Sequence, residues 1–155
     1  MNYRILLFIL SILAASCVTV EVCDDSYDSD LIAEFKTIQD GEVVDSTVTA
    51  LTIYGIKDGE NDTLYKALPS SGFAVPLDPH SDFSSFVMQV DSLSDTLIIY
   101  HGHESYMISY TCGFGNLFTL SRIEQGGGIF KGDTILNELI DAEYEEDEVH
   151  IWLYL

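Results

Sequence analysis

Between Leu31 and Leu155, seven to nine short apolar runs follow one another at roughly 8–12-residue spacing. Gly, Pro, Asp and Asn separate them. That rhythm predicts strands joined by tight turns, arranged as a sandwich or barrel. The runs are Leu31–Ile38, Thr47–Ile56, Leu64–Leu68, Gly72–Leu77, Phe83–Val90, Thr96–Tyr100, Ser105–Thr111, Asn116–Ile123 and Val149–Leu155. Phe83–Val90 alternates most clearly. Ser84, Phe86, Met88 and Val90 fall on one side of a strand, and Phe83, Ser85, Val87 and Gln89 on the other. Nine Tyr, eight Phe and one Trp, with many Val, Ile and Thr, favour the same state.

The expected fold is therefore all-β: a single antiparallel β-sandwich over residues 31–155, immunoglobulin-like in layout. At 155 residues the chain suits one domain, and 47% hydrophobic residues supply a core. Asp133–Glu143 has two readings. Ile135, Leu136, Leu139 and Ile140 fall at helical spacing, but the segment also reads as an edge strand. Asp40-Gly41 is turn chemistry, Lys57–Asp62 a polar loop, and Gly126-Gly127-Gly128 a flexible loop. An outer-membrane barrel is rejected, because its strands need about 9–11 residues with a continuous lipid-facing row.

The first residues read differently. Met1–Arg4 carries positive charge, Ile5–Leu13 is apolar apart from Ser11, and Ala14-Ala15-Ser16 precede Cys17. This is the layout of a secretory signal over residues 1–16. The apolar stretch is too short to span a bilayer, which takes roughly 20 residues. Leu13–Cys17 resembles a lipobox, in which the Cys thiol is acylated before the leader is cut. Ala15 and Ser16 fit that pattern, while Ala14 stands where a larger aliphatic is usual. The other reading is plain cleavage after Ser16, leaving Cys17 a free thiol. Residues 17–30 then form an acidic tether.

The formal charge is −20; without the leader, five bases face 26 acids, about −21. Such a surface repels phosphate backbones, so no nucleic-acid partner is expected. It also disfavours docking on anionic lipid, so membrane attachment requires a covalent or hydrophobic anchor.

Three cysteines in an exported chain call for an explanation. With Cys17 acylated, Cys23 and Cys112 remain as a candidate disulfide. It would close a loop of 89 residues, contributing roughly 4–5 kcal/mol in the chain-entropy model. Two buried thiols, or metal ligation, are the alternatives.

Catalytic chemistry is sparse. His101-Gly102-His103-Glu104 places two imidazoles at i and i+2, which one metal could share, although zinc sites take three or four ligands. The plainer reading is a hairpin loop with Gly102 at positive φ. Asp24–Asp30 lacks the Gly and Glu of an EF-hand at positions six and twelve. The triple glycine lacks the Lys-Ser/Thr of a phosphate loop. No catalytic residue and no cofactor are implied.

The Cys-terminated leader, Cys23, the strand-like Leu31–Ile38, Asp95–Tyr100, and Cys112-Gly113-Phe114 ahead of Asn116-Leu117-Phe118 together resemble a family. Its members are short, uncharacterised lipoproteins of Bacteroidota-type bacteria with a domain of unknown function. The resemblance implies a cell-envelope lipoprotein, with the outer membrane as the expected place, and supports the Cys23–Cys112 pair. Val18-Thr19-Val20-Glu21 departs from the acidic surface-export signal of such proteins, leaving the periplasmic or surface face open. The expected function is a non-catalytic module that binds an envelope protein or a glycan. The alternatives are an assembly accessory of an outer-membrane complex, or a metal-binding module or enzyme around His101 and His103.

Overall fold

Asp40 and Gly41 both take positive φ, 53° and 86°. This two-residue turn matches the twist of a hairpin and folds β1 (Asp30–Gln39) back on β2 (Glu42–Asp45). The computed structural model describes residues 29–57, 60–141 and 148–155, without the side chains of 57, 60 and 61. Nine further strands follow: β3 (Val48–Lys57), β4 (Glu60–Ser70), β5 (Gly72–Pro76), β6 (Phe83–Val90), β7 (Leu93–Ser109), β8 (Gly113–Gln125), β9 (Gly132–Ile135), β10 (Leu139–Ile140) and β11 (Ile151–Tyr154).

They form two sheets packed as a sandwich. One sheet runs β2-β1-β11-β9, with β5 also pairing β1; the other runs β10-β8-β7-β6-β3-β4. Most pairs are antiparallel, as expected. One is not: β1 and β11 run parallel, with Ala33 opposite Ile151 and Phe35 opposite Leu153.

Period-2 alternation decides what lies between the sheets. Leu31, Ala33 and Phe35 of β1 face inward with Phe73 and Val75 of β5 and Ile151 and Leu153 of β11. Leu51, Ile53, Phe86, Met88, Val90, Leu97 and Ile99 answer from the opposite sheet. Ser84 to Val90 has the inward set read from the sequence. Phe35 is fully buried and touches two rings, Phe73 at 5.7 Å and Phe130 at 6.3 Å.

The chain changes sheet between β4 and β5. Ala67 takes positive φ (48°) where the β3–β4 register shifts, and its N–H bonds Thr52 Oγ1 at 3.0 Å. This irregularity bends β4. Tyr65 then reaches across the sandwich. Its hydroxyl donates to the Ala74 carbonyl (3.1 Å) and accepts the Ala74 N–H (2.9 Å).

Three sequence expectations change. His101–Glu104 is not a hairpin loop: it lies within β7, and Gly102 does not take positive φ. The polar segment Lys57–Asp62 contributes residues to both β3 and β4, and residues 58–59 lie outside the described set. Of the two readings of Asp133–Glu143, the third expectation, the helix gives way to the edge strand: the described residues form β9 and β10, each at the edge of its sheet.

The glycine triplet is also no slack loop. Asp95, 5% exposed, accepts N–H bonds from Thr96 (2.8 Å), Gly128 (3.0 Å), Ile129 (2.9 Å) and Phe130 (3.4 Å). A Cβ at Gly126 would stand 2.5 Å from Asp95 Oδ1, and one at Gly128 would stand 2.8 Å from the Ser94 carbonyl. Glycine is there because the backbone wraps a carboxylate. Burial opposes ionisation of Asp95, but the four N–H bonds outweigh it and hold the pKa below its usual value.

Candidate functional site

A concave surface lies at one end of the six-stranded sheet. Gly55 and Ile56 of β3, Asp62 and Leu64 of β4, the segment Pro76–Ser81, and Phe83–Phe86 of β6 enclose a groove of about 920 Å³. Two prolines stiffen the segment, and Asp78 closes a small turn within it. The Ser81 N–H bonds the Asp78 carbonyl (3.3 Å), and the His80 N–H bonds Asp78 Oδ1 (3.0 Å). Phe83 stands 47% exposed at the mouth, with its ring centroid 6.0 Å from Tyr100. Arg122 covers the Tyr100 ring at 3.9 Å and pairs with Glu124.

Ser84 and His101 brace the floor. Ser84 Oγ accepts the Asp78 N–H at 2.8 Å and lies 2.9 Å from His101 Nε2. The His101 N–H bonds the Asp82 carbonyl at 3.0 Å. Phe118 meets the imidazole edge-on at 5.2 Å. A serine hydroxyl beside an imidazole has the spacing of a nucleophile and its base. However, both residues are buried, and among the described residues His101 Nδ1 has no hydrogen-bond partner. The described residues therefore supply no group to orient the base as in a catalytic triad. The pair ties the groove segment to β6 and β7.

The candidates from the sequence fall in different places. His101 is buried, whereas His103, two residues on, is exposed. Among the described residues, no three His, Cys, Asp or Glu side chains converge on a possible metal position. Cys17 and Cys23 lie outside the described residues, as does most of the acidic tether. Cys112 is half-buried in the turn joining β7 to β8, where its N–H bonds Ser109 Oγ at 3.1 Å. Asp78, Phe83 and Ser84 were missed as a site. The run Pro76-Leu77-Asp78-Pro79-His80-Ser81-Asp82 held the signal, dense in turn residues and polar groups.

A second buried histidine fixes the parallel pair. His150 Nδ1 accepts the Ile32 N–H at 3.0 Å, and the His150 N–H donates to the Ile32 carbonyl at 2.9 Å. Burial lowers the pKa of His150 against the pull of Glu148. Burial and the charge of His103 lower that of His101, against Asp78 and Asp82. Both folded values lie below the ordinary 6.5, so at pH 6 the unfolded chain binds more protons. Their stabilisation is complete above about pH 6.5 and falls as the pH drops towards their folded values. The urea midpoint should be lower at pH 5 than at pH 7.5. The double variant His101→Phe/His150→Asn should flatten that difference; an unchanged pH slope in the variant would refute the assignment.

The geometry thus defines a two-sheet β-sandwich with an end groove and a buried polar brace. The chain belongs to a family of unknown function, DUF6452, whose profile matches residues 50–155. The matched span begins inside β3 and leaves out β1 and β2. No curated protein and no solved structure matches the chain.

Proposed function

We propose that this chain is a cell-envelope lipoprotein, anchored through acylated Cys17, whose sandwich is a non-catalytic binding module with the end groove as its ligand site. The observation that carries the binding role is the composition of that groove. An exposed ring, Phe83, stands over a concave surface edged by carboxylates and hydroxyls from Asp62, Asp78, Ser81 and Ser85. Stacking surface beside hydrogen-bonding groups suits an uncharged glycan. The net charge of −20 weighs against an anionic ligand.

The anchor rests on the lipobox-like Leu13–Cys17 and on the need of so acidic a domain for an attachment other than charge. The Cys23–Cys112 disulfide belongs to the same reading. Ser29 Oγ donates to the Asn116 carbonyl at 2.5 Å, which holds the start of the described chain beside β8. Cys23 is only six residues upstream of Ser29, within about 20 Å of extended chain.

Two measurements test the proposal. Calorimetric titration with neutral oligosaccharides should find at least one ligand, and Phe83→Ala should weaken it roughly tenfold, the loss of one stacking contact. Full affinity in the variant removes the groove from consideration. Mass spectrometry of the N-terminal peptide from native membranes should show acylated Cys17. A free Cys17 would mean plain secretion.

A further inference from the structure

The sequence contains one long interval without Asp, Glu, Lys or Arg beyond its leader. Residues 105–121, between Glu104 and Arg122, carry no such side chain, in a chain with 26 acids. The structure gives this interval a single location. It is the distal half of the β7–β8 hairpin, where Met107 pairs with Phe114 and residues 110–112 make the turn. The pairing of β6 with β7 ends at Tyr100, and that of β10 with β8 begins at Phe118. The hairpin beyond these points projects as a two-stranded arm, about 15–20 Å long at the rise of a strand.

Its tip is apolar and bare. Tyr110 is 98% exposed, Phe114 74% and Met107 47%. Three large apolar side chains at the end of one arm are a concentrated patch, unlike scattered surface hydrophobes.

We propose that this arm is a membrane-contacting edge, with Tyr110, Phe114 and Met107 entering the headgroup region of the bilayer that holds the acyl anchor. The inference rests on the anchored reading of Cys17. Two observations choose a bilayer as the occupant. The first is where the tether arrives. Ser29 is bonded to Asn116, at the base of the arm, and Cys17 lies only 12 residues upstream. A chain of that length reaches at most about 40 Å, so an acylated Cys17 would keep the base of the arm within that distance of the bilayer. The second is charge. A domain near −20 is repelled by anionic lipid over most of its surface, and the charge-free arm is the part that can approach without that penalty. Tyr rings favour this depth, with an apolar body in the acyl boundary and a hydroxyl in water.

The arm then acts as a second, weak contact beside the covalent one. It sets the orientation of the domain, holding the glycan groove at a fixed attitude to the membrane.

The test uses the full-length lipidated protein in phosphatidylethanolamine–phosphatidylglycerol vesicles carrying brominated acyl chains. Tyr110→Trp adds a reporter to a protein whose only Trp is Trp152 on β11. Bromolipid should quench the introduced indole roughly twofold, leave wild-type emission nearly unchanged, and lose most of its effect when Met107→Ser and Phe114→Ser are added. The N-terminal peptide is weighed in the same samples. Acylated protein whose introduced indole stays unquenched, or crosslinks from position 110 to a protein instead of lipid, overturns the membrane edge and spares the anchor. Unacylated protein that is still quenched overturns the anchor and keeps the edge. Loss of both acylation and quenching overturns both.

Discussion

Asp95→Ala is expected to cost about 3 kcal/mol of unfolding free energy, one of the two largest effects foreseen for a single substitution here. The side chain satisfies four backbone N–H groups, three of them on Gly128, Ile129 and Phe130. Removing it leaves buried donors without an acceptor and frees the glycine segment. The damage spreads to the centre of the sandwich, because that segment places Phe130 on Phe35 at 6.3 Å. Asp95→Asn retains one carbonyl oxygen and should cost less. It should, however, change the acid limb of stability. The folded pKa of Asp95 is depressed, so its contribution is complete above the ordinary carboxylate value, about 3.9, and vanishes as the pH falls through the folded one. Urea unfolding followed by circular dichroism at pH 7 and pH 3 checks both points. Wild type should lose more than Asp95→Asn between those two conditions. Equal losses would mean that the carboxylate is not what holds the loop.

The second large effect is expected at Gly72. A Cβ there would lie 2.3 Å from the Ala33 carbonyl oxygen and 3.3 Å from Glu34 Cα, both backbone atoms. No rotamer change can relieve that contact, so β5 must move off β1. Gly72→Ala should cost roughly 2–3 kcal/mol, near the upper end for overpacking. The displacement has a functional reading, because β5 runs directly into the Pro76–Ser81 side of the groove. The variant should therefore lose ligand affinity even under conditions where it remains folded. A midpoint of unfolding equal to wild type would show that β5 tolerates the shift. Affinity equal to wild type in folded variant protein would show that the groove does not depend on β5.

How much of this was visible in the sequence depends on distance along the chain. Strands with one buried face were legible, since Ser84–Val90 and Leu31–Phe35 carry the period of two that burial imposes. The Asp40-Gly41 turn was legible because its geometry is local. Strand β2 was not, since Glu42–Asp45 is largely exposed and has no inward set to betray it. Asp95 was hidden among 26 acids, and three of its four partners lie 33 to 35 residues away. The groove was hidden for a similar reason. Residues 55–64 and 76–86 form one surface only after the β3–β4 hairpin packs beside the crossover from β5 to β6. His101 was read as part of a turn because Gly102 follows it, yet Gly102 sits in an ordinary strand conformation.

The parallel pairing of β1 with β11 sets a schedule. Ile32 waits for His150, 118 residues later, before its N–H and carbonyl are both satisfied. β1 can pair early with β2 and β5, but its other edge stays open until β11 has been made. Long-range closure of this kind makes folding slow and late. The sheet is therefore completed from its two ends, and the edge of β1 that β11 covers is the last part of it to be closed.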